Sequence, residues 1–407
     1  MKSAGVIVEY NPFHNGHLFH LNETKKITSS DVLIAVMSGN FLQRGEPALV
    51  SKWARTKMAL RAGIDIVVEL PYQFATQQAE IFANGAISIL EALHCEAFAF
   101  GSESGKIDSF FYTFEKVEEK NQLLQTFIQE EVKRGSSYPK SVASAYATVL
   151  EGENTLDLSR PNNILGFHYI KALREQNGKM KPYTISRKNA QYHDVHFSSA
   201  TIASATSIRK HIFERPDQNA EEIMQYVPPA TFEELQNYHK VTGLFHSWEL
   251  YWPYLQYRIQ TASPEELRSI YEIEEGIEYR IKDASIESSS FHDFMNNLKT
   301  KRYTWTRLQR MCVHILTNTL KEEMSKNDRL SPYIRLLGMS KKGQHYLNEL
   351  KKDLELPLIA NVKKEHATLL HLDLKAAKVY NLPLHQHNSR ILLEDFLKHP
   401  VLLKEGE

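Results

Sequence analysis

His14, Gly16 and His17 are the residues of this chain whose types and spacing most directly suggest chemistry. The two imidazoles flank a glycine where an apolar run, Ala4-Gly5-Val6-Ile7-Val8-Glu9-Tyr10, gives way to helical spacing over His17–Thr28. A strand, a tight loop and a helix start are the parts of an anion site, because free N–H groups and the positive end of the helix dipole face a phosphate. Gly16 has no Cβ, so the backbone can come close to a nucleotide. The imidazoles can donate hydrogen bonds to an α-phosphate as charge builds in a transition state. A metal-binding or purely structural histidine pair is the competing reading, yet two nitrogens with no carboxylate or cysteine beside them are a short ligand set. The expectation is a nucleotide site in which His14 and His17 act catalytically.

A second stretch has matching chemistry. Ser204-Ala205-Thr206-Ser207-Ile208-Arg209 opens a helical pattern after a polar loop. Hydroxyls at a helix start with an arginine one turn later suit the β- and γ-phosphates and a departing pyrophosphate. An ordinary N-cap ahead of an amphipathic helix looks the same when taken alone. Paired with the histidine motif, the segment is read as phosphate-binding through Ser204 and Thr206, with Arg209 catalytic. No Ser/His/Asp or Cys/His arrangement stands out.

These residues need a scaffold. Apolar and charged fractions of 42% and 24% are ordinary for a soluble globular protein, and 407 residues suggest two domains. From Ala4 to about Arg215 short apolar runs alternate with helical patterns, which predicts an α/β, doubly wound parallel sheet. Strands are expected at Gly5–Glu9, Val32–Met37, Ile66–Leu70, Ala97–Gly101 and Tyr183–Ser186, and helices at His17–Thr28, Lys52–Ala62, Glu80–Leu93 and Leu165–Glu175. Polar residues after the strands, such as Asn11-Pro12, Ser38-Gly39-Asn40 and Gly101-Ser102-Glu103, suit a site at the carboxyl edge of that sheet. Past residue 216 helical patterns dominate, including Pro264–Ile273, Ser290–Lys299, Thr304–Lys326 and a short amphipathic helix over Ile391–Leu397. The expected division is therefore 1–216, catalytic, and 217–407, a mostly α-helical domain.

The formal net charge is zero, so a polyanion must be met by a local patch. Residues 217–300 carry 15 acidic against 6 basic side chains, whereas residues 301–352 carry 12 basic against 4 acidic, which places the candidate patch in the latter segment. Cys95 and Cys312 are far apart in apolar-periodic segments and read as buried thiols rather than a disulfide. Met1 leads directly into the first strand, and no apolar run approaches membrane length, so a soluble cytoplasmic protein without membrane association is expected.

The text between the two motifs is more distinctive than either. Gly5-Val6-Ile7-Val8-Glu9-Tyr10-Asn11-Pro12-Phe13-His14-Asn15-Gly16-His17 resembles the opening of the bacterial tRNA(Met) cytidine acetate ligase family, within the H-x-G-H nucleotidylyl transferase superfamily. Ser38-Gly39-Asn40-Phe41-Leu42-Gln43-Arg44-Gly45-Glu46-Pro47-Ala48 is similar to that family's second block, and Phe100-Gly101-Ser102-Glu103, Arg160-Pro161-Asn162-Asn163-Ile164-Leu165-Gly166 and Ile185-Ser186-Arg187-Lys188 continue the likeness. It covers the whole chain and is densest in the first half.

The resemblance implies a Rossmann-like fold and a ligase. ATP and acetate would give an acetyl-adenylate and pyrophosphate, and the acetyl group would pass to the wobble cytidine of elongator tRNA(Met) as N4-acetylcytidine. Such chemistry relies on positioning and charge stabilisation, not on a protein nucleophile. Mg²⁺ would arrive on the ATP phosphates, without a protein cage. The implied ATP-binding residues are Ile7, Val8, Glu9, Tyr10, Asn11, Pro12, Phe13, His14, Asn15, Gly16, His17, Leu18, Phe19 and His20 in the opening block, then Gly101 and Asn162. Arg187 and Lys188 follow the last strand, where they face phosphate or tRNA unless they are merely a solvated strand end. Asn40 and Gln43 would shape the acetate or cytidine pocket. His193-Asp194-x-His196 has metal-ligand types but no fourth ligand at useful spacing, and is read as a loop near phosphate or cytidine.

Two basic groups are candidates for tRNA. Lys52, Arg55 and Lys57 accompany Trp53, and Lys301, Arg302, Arg307 and Arg310 interleave with Tyr303 and Trp305. Cations bind phosphates and rings stack on unpaired bases, although a charge run is also what a solvated helix face looks like. Two other functions remain open at this point: a nucleotidylyl transferase acting on a phosphorylated metabolite, and a non-catalytic RNA-binding protein on a nucleotide fold.

Overall fold

The structure is a computed structural model that describes residues 1–152, 154–186, 203–214, 221–274, 276–324, 330–385 and 388–404. Arg187, Lys188, His193, Asp194 and His196 lie outside the described residues.

Five parallel strands form the sheet expected of the first half: β1 (Ser3–Val8), β2 (Val32–Ser38), β3 (Ile66–Leu70), β4 (Ala97–Ser102) and β5 (Lys181–Ser186). Their spatial order, β5-β4-β1-β2-β3, runs outward both ways from β1 and makes the space beyond the β1 and β4 ends the switch point. Val32 pairs with Ser3 and Ala97 with Ala4, so β1 is sandwiched between two strands and buried on both faces. That is why its sequence is a continuous apolar run instead of an alternation.

The helices of the first half are α1 (Asn15–Thr28), α2 (Lys52–Arg61), α3 (Tyr72–Ala75), α4 (Ala79–Ala92), α5 (Ile107–Glu119), α6 (Asn121–Lys133), α7 (Tyr138–Val149), α8 (Pro161–Glu175) and α9 (Ala205–Phe213). They cover both faces of the sheet. Val32, Ile34, Ile66 and Val68 pack with α4 and α8 on one side. Ala4, Val6, Leu33 and Val67 pack with α1, α2 and α9 on the other. Helices α5, α6 and α7, which the sequence reading left unassigned, join the first of these layers.

The second half contributes α10 (Pro229–Thr242), α11 (Trp248–Thr261), α12 (Pro264–Ser269), α13 (Ile277–Ile286), α14 (Phe291–Leu298), α15 (Trp305–Leu316), α16 (Lys321–Met324), α17 (Lys341–Leu350), α18 (His371–Tyr380) and α19 (Glu394–Leu397). Helices α11 to α15 and α18 close their own core around Tyr251, Ile281, Phe294 and Met311. The sheet, however, does not stop at the expected boundary of residue 216. Strand β6 (Ile334–Met339) pairs antiparallel with β3, and β7 (Leu358–Ile359) and β8 (Val401–Leu402) share the outer edge of β6. The late chain thus completes the early sheet. Gly338 allows this, since a Cβ there would lie 2.7 Å from Thr56 and 2.9 Å from Leu60 of α2. No described helix is long and apolar enough to cross a membrane.

Candidate nucleotide site

The loop after β1 builds the site from its backbone outward. Helix α1 begins two residues earlier than its apolar spacing indicated, and His14 is its N-cap. The His14 Nδ1 accepts the Gly16 N–H at 3.0 Å, and the His17 Nδ1 accepts the His14 N–H at 3.2 Å. These bonds form a reciprocal capping box of the kind usually made by Ser and Glu. They also settle the tautomers. A neutral imidazole that accepts at Nδ1 carries its proton on Nε2, so both rings are donors there. The rings stack with centroids 3.7 Å apart. Tyr10 meets His17 edge-on at 5.0 Å and Phe13 at 4.6 Å, which fixes the floor of the loop.

His14, Gly16 and His17 face a cavity of about 2250 Å³ whose wall also includes Ile7, Val8, Glu9, Tyr10, Phe19, His20, Gln43, Gly101 and Asn162. Asn11, Pro12, Phe13, Asn15 and Leu18, also expected at the nucleotide, are not on that wall. Asn11 is buried and its Oδ1 accepts the Leu49 N–H at 2.7 Å, Phe13 lies wholly in the core, and the Asn15 amide donates to the Gln225 carbonyl at 2.9 Å. The motif therefore divides into residues that face the cavity and residues that hold the loop.

Glu9 is held from both ends. Its Oε1 accepts the Gln43 N–H at 2.8 Å, while its carbonyl accepts from Arg55 at 2.7 Å. Burial pushes its carboxyl above the ordinary carboxylate range, against the opposing influence of the Gln43 N–H and Arg44. Gln43 in turn donates from its side chain to the Gln77 carbonyl at 2.6 Å. Of the two residues expected at an acetate or cytidine pocket, Gln43 is on the wall and Asn40 is not. Asn40 is buried and uses its Oδ1 to accept the Lys52 N–H at 3.0 Å, capping the sequence ahead of α2.

Gly101 is the last residue but one of β4, and a reciprocal lock joins the end of that strand to α8. The Glu103 carboxylate accepts both the backbone and side-chain N–H of Asn162 and the Asn163 N–H at 2.8 Å. The Asn163 Oδ1 accepts the Glu103 and Ser104 N–H groups at 3.1 and 3.2 Å. Neither Glu103 nor Asn163 was singled out from sequence, although the signal was present: an acidic residue beside an unpaired helix start that carries Pro161 at its first turn.

The second motif reaches the first. Arg209 donates to the Asn11 carbonyl at 2.8 Å and pairs with Glu46 at 2.9 Å. Ser204 is the N-cap of α9, accepting the Ser207 N–H at 3.0 Å, so the capping reading of that residue is realised. Ser204, Thr206 and Arg209 are not on the cavity wall, though the neighbouring Ala203 is.

The two basic groups separate. Lys52 and Arg55 are excluded as tRNA contacts because both are fully buried. The Lys52 ammonium meets Glu69 at 2.8 Å and Asp395 at 2.8 Å. Burial alone would lower it, but the two carboxylates hold it above its usual range. Arg55 donates to the carbonyls of Glu9, Ser38, Gly39 and Val50. Lys57 is half-exposed and faces Glu234 at 3.5 Å, away from the cavity. In contrast Arg302, Trp305, Arg307 and Arg310 share the cavity wall with the histidines. Arg310 is buried in a bidentate pair with Glu272 at 2.7 and 3.2 Å, which removes it as a free phosphate contact. Lys301 is exposed beside this wall.

The loop after β2 links the halves. Gly45 has φ +77°, and a Cβ there would lie 2.3 Å from the Arg310 nitrogen, while its carbonyl accepts the Trp248 indole N–H at 2.9 Å. The second half thereby fixes the loop that carries Gln43 and Arg44.

Comparison with known proteins agrees with this geometry. The HIGH Nucleotidyl Transferase family model matches residues 1–395. The tRNA(Met) cytidine acetate ligase of Bacillus subtilis is 49% identical over 100% of this chain and 99% of its own. The enzyme of the same name from Bacillus licheniformis is 51% identical over 97% and 95%. Among solved structures, Thermotoga maritima TmcAL in its apo form superposes with a TM-score of 0.91 at 33% identity, covering 99% of this chain and 100% of that one. The same protein bound with alpha-thio ATP gives 0.89 at 32% identity, with the same coverage. The chain belongs to the tRNA(Met) cytidine acetate ligase family of HIGH nucleotidyl transferases.

Proposed function

We propose that this chain uses ATP to activate acetate as acetyl-adenylate and transfers the acetyl group to a cytidine of tRNA(Met), giving N4-acetylcytidine. The observation that carries the reading is the shared cavity, lined both by the stacked His14 and His17 at the start of α1 and by Arg302, Trp305 and Arg307. The first set suits nucleotide phosphates and the second suits an RNA loop. The likeness to relatives named for tRNA(Met), cytidine and acetate supplies the partners; the elongator tRNA and the wobble position rest on the resemblance of the motifs.

In the first step an acetate oxygen attacks the α-phosphorus and pyrophosphate leaves. The Nε2–H groups of His14 and His17, at the positive end of the α1 dipole, stabilise the charge on the α-phosphate oxygens, in a site built before substrate arrives. Arg209 is assigned to the departing pyrophosphate, and Ser204, Thr206, Arg187 and Lys188 to the outer phosphates. Among the described residues no group of three or more His, Cys, Asp or Glu is placed to hold a metal ion, so Mg²⁺ is assigned to the ATP phosphates. The buried free thiols of Cys95 and Cys312 fit work in the cytoplasm.

The test is acetate-dependent ATP–pyrophosphate exchange, together with mass spectrometry of nucleosides from tRNA(Met) incubated with labelled acetate. His17→Ala is expected to lower exchange by about a hundredfold in a folded protein, the loss of one transition-state donor. Near-normal exchange in that variant would remove the histidine pair from the mechanism.

A further inference from the structure

Transfer of the acetyl group needs something the adenylation step does not. The exocyclic amine of cytidine is weakly basic and must lose a proton as it becomes an amide. Both histidines are poor acceptors for it. Each already accepts a backbone N–H at Nδ1 and so carries its proton on Nε2. The base must come from elsewhere on the wall.

Most carboxylates of the cavity are engaged by cations. Glu80 and Glu175 pair with Lys171 at 2.9 and 3.7 Å, Glu272 with Arg310 at 2.7 Å, and Glu274 with Arg307 at 3.8 Å. Glu118 is exposed near the C-terminal end of α5. Glu9 differs from all of these. It stands directly after β1, one residue before Tyr10 and on the same wall as His14 and His17. Among the described residues its carboxylate has one hydrogen-bond partner, the Gln43 N–H on Oε1, and no cation within ion-pair distance.

We infer that Glu9 is the general base of acetyl transfer, taking a proton from the cytidine amine. This rests on the functional reading above. In the step, the N4 lone pair forms a bond to the acetyl carbonyl carbon. The bond from that carbon to the AMP oxygen breaks, and AMP leaves with the electron pair. One N4 proton passes to a Glu9 carboxylate oxygen and from there to solvent.

Anchoring at both its carbonyl and Oε1 holds the side chain without rotamer search, which a proton acceptor requires. The raised carboxyl, caused first by burial, makes it a stronger base than a solvated glutamate. The charged and titratable groups around it are Arg44 and Glu46 from the loop after β2, Arg55 from α2, Tyr169 from α8 and Arg209 from α9.

The experiment measures two reactions of the full chain across pH: acetate-dependent pyrophosphate exchange, and single-turnover transfer from prepared acetyl-adenylate to a tRNA(Met) transcript. Only ionised Glu9 is a base, so wild-type transfer should fall as pH drops through its raised pKa. Glu9→Gln should lose that acidic limb and slow transfer by about a hundredfold or more. The loss in transfer should exceed any loss in exchange by about a hundredfold, the low end of the range ascribed to general-base catalysis. Glu9→Asp should keep the limb at a reduced rate. Equal losses in both reactions, or an acidic limb that persists in Glu9→Gln, would overturn the assignment and leave Glu9 a binding residue. A wild-type chain with no acetate-dependent exchange would instead sink the functional reading, and this inference with it.

Discussion

Two basic stretches, one in α2 and one around the start of α15, look alike in sequence and have opposite fates in the structure. In α2 Lys52 and Arg55 point inward. Strand ends leave carbonyls beyond the ladder, and these need donors when they are buried. Arg55 supplies them for Glu9, Ser38, Gly39 and Val50, at the cost of a guanidinium pushed down by burial to about 10. Around the start of α15, Arg302 and Arg307 stay at the surface and rest on a ring. Arg302 and Arg307 lie 5.8 and 5.1 Å from the centre of Tyr303, which holds them at the cavity wall. A run of positive charge gives the sign of a patch only where the fold leaves it at the surface.

The largest effect expected from this contrast is at Lys52. Lys52→Ala leaves Glu69 and Asp395 buried without their cation and should lower unfolding free energy in urea by about 3–5 kcal/mol. A loss below about 1 kcal/mol, the range of an exposed pair, would return α2 to the surface class. The burial of Glu69 already raises its carboxyl to about 7 despite Lys52, so removing the ammonium pushes it further.

Next comes the exposed side of the comparison. Arg302→Gln with Arg307→Gln should weaken tRNA(Met) binding by about tenfold and reduce the salt slope by about 1.4, for two single-stranded phosphate contacts. Its urea midpoint should stay near that of the wild type. An unchanged slope would make the segment a solvated face after all. The smallest effect is expected at Lys57, whose half-exposed ammonium meets Glu234. Lys57→Ala should change stability by less than about 1 kcal/mol and leave the salt slope of tRNA binding unaltered.

Which parts were legible in the sequence follows from which physics acts locally. The strands β1 to β4 were placed within one or two residues, because a parallel strand buried on both faces must be apolar throughout. Strand β6 escaped notice since Arg335 and Gly338 interrupt it. Arg335 is buried, bonding the carbonyls of Ile359 and Ala360, a partnership set by chain that comes later. The start of α1 was misread because histidine is not a usual cap, and only the folded geometry reveals that its ring nitrogen serves as one. The candidate site was half visible. His14, Gly16, His17, Gly101 and Asn162 announced themselves by motif, whereas the burial of Lys52, Arg55, Asn40 and Arg310 depends on contacts between separate elements, such as Lys52 with Asp395 and Arg310 with Glu272.

The antiparallel strand that joins β3 bears on how the molecule comes into being. Residues 334–339 complete the edge of the nucleotide sheet, and Asp395 closes the charge cluster beneath it. During synthesis on a ribosome the histidine loop emerges before residues 334–339 and Asp395, so until they follow its scaffold keeps an open edge and Lys52 lacks its second carboxylate. On the function proposed above, a growing chain would have no finished pocket in which to make a reactive adenylate before the RNA-facing wall exists to receive it. Order of assembly, as much as geometry, would then keep the two proposed half-reactions together.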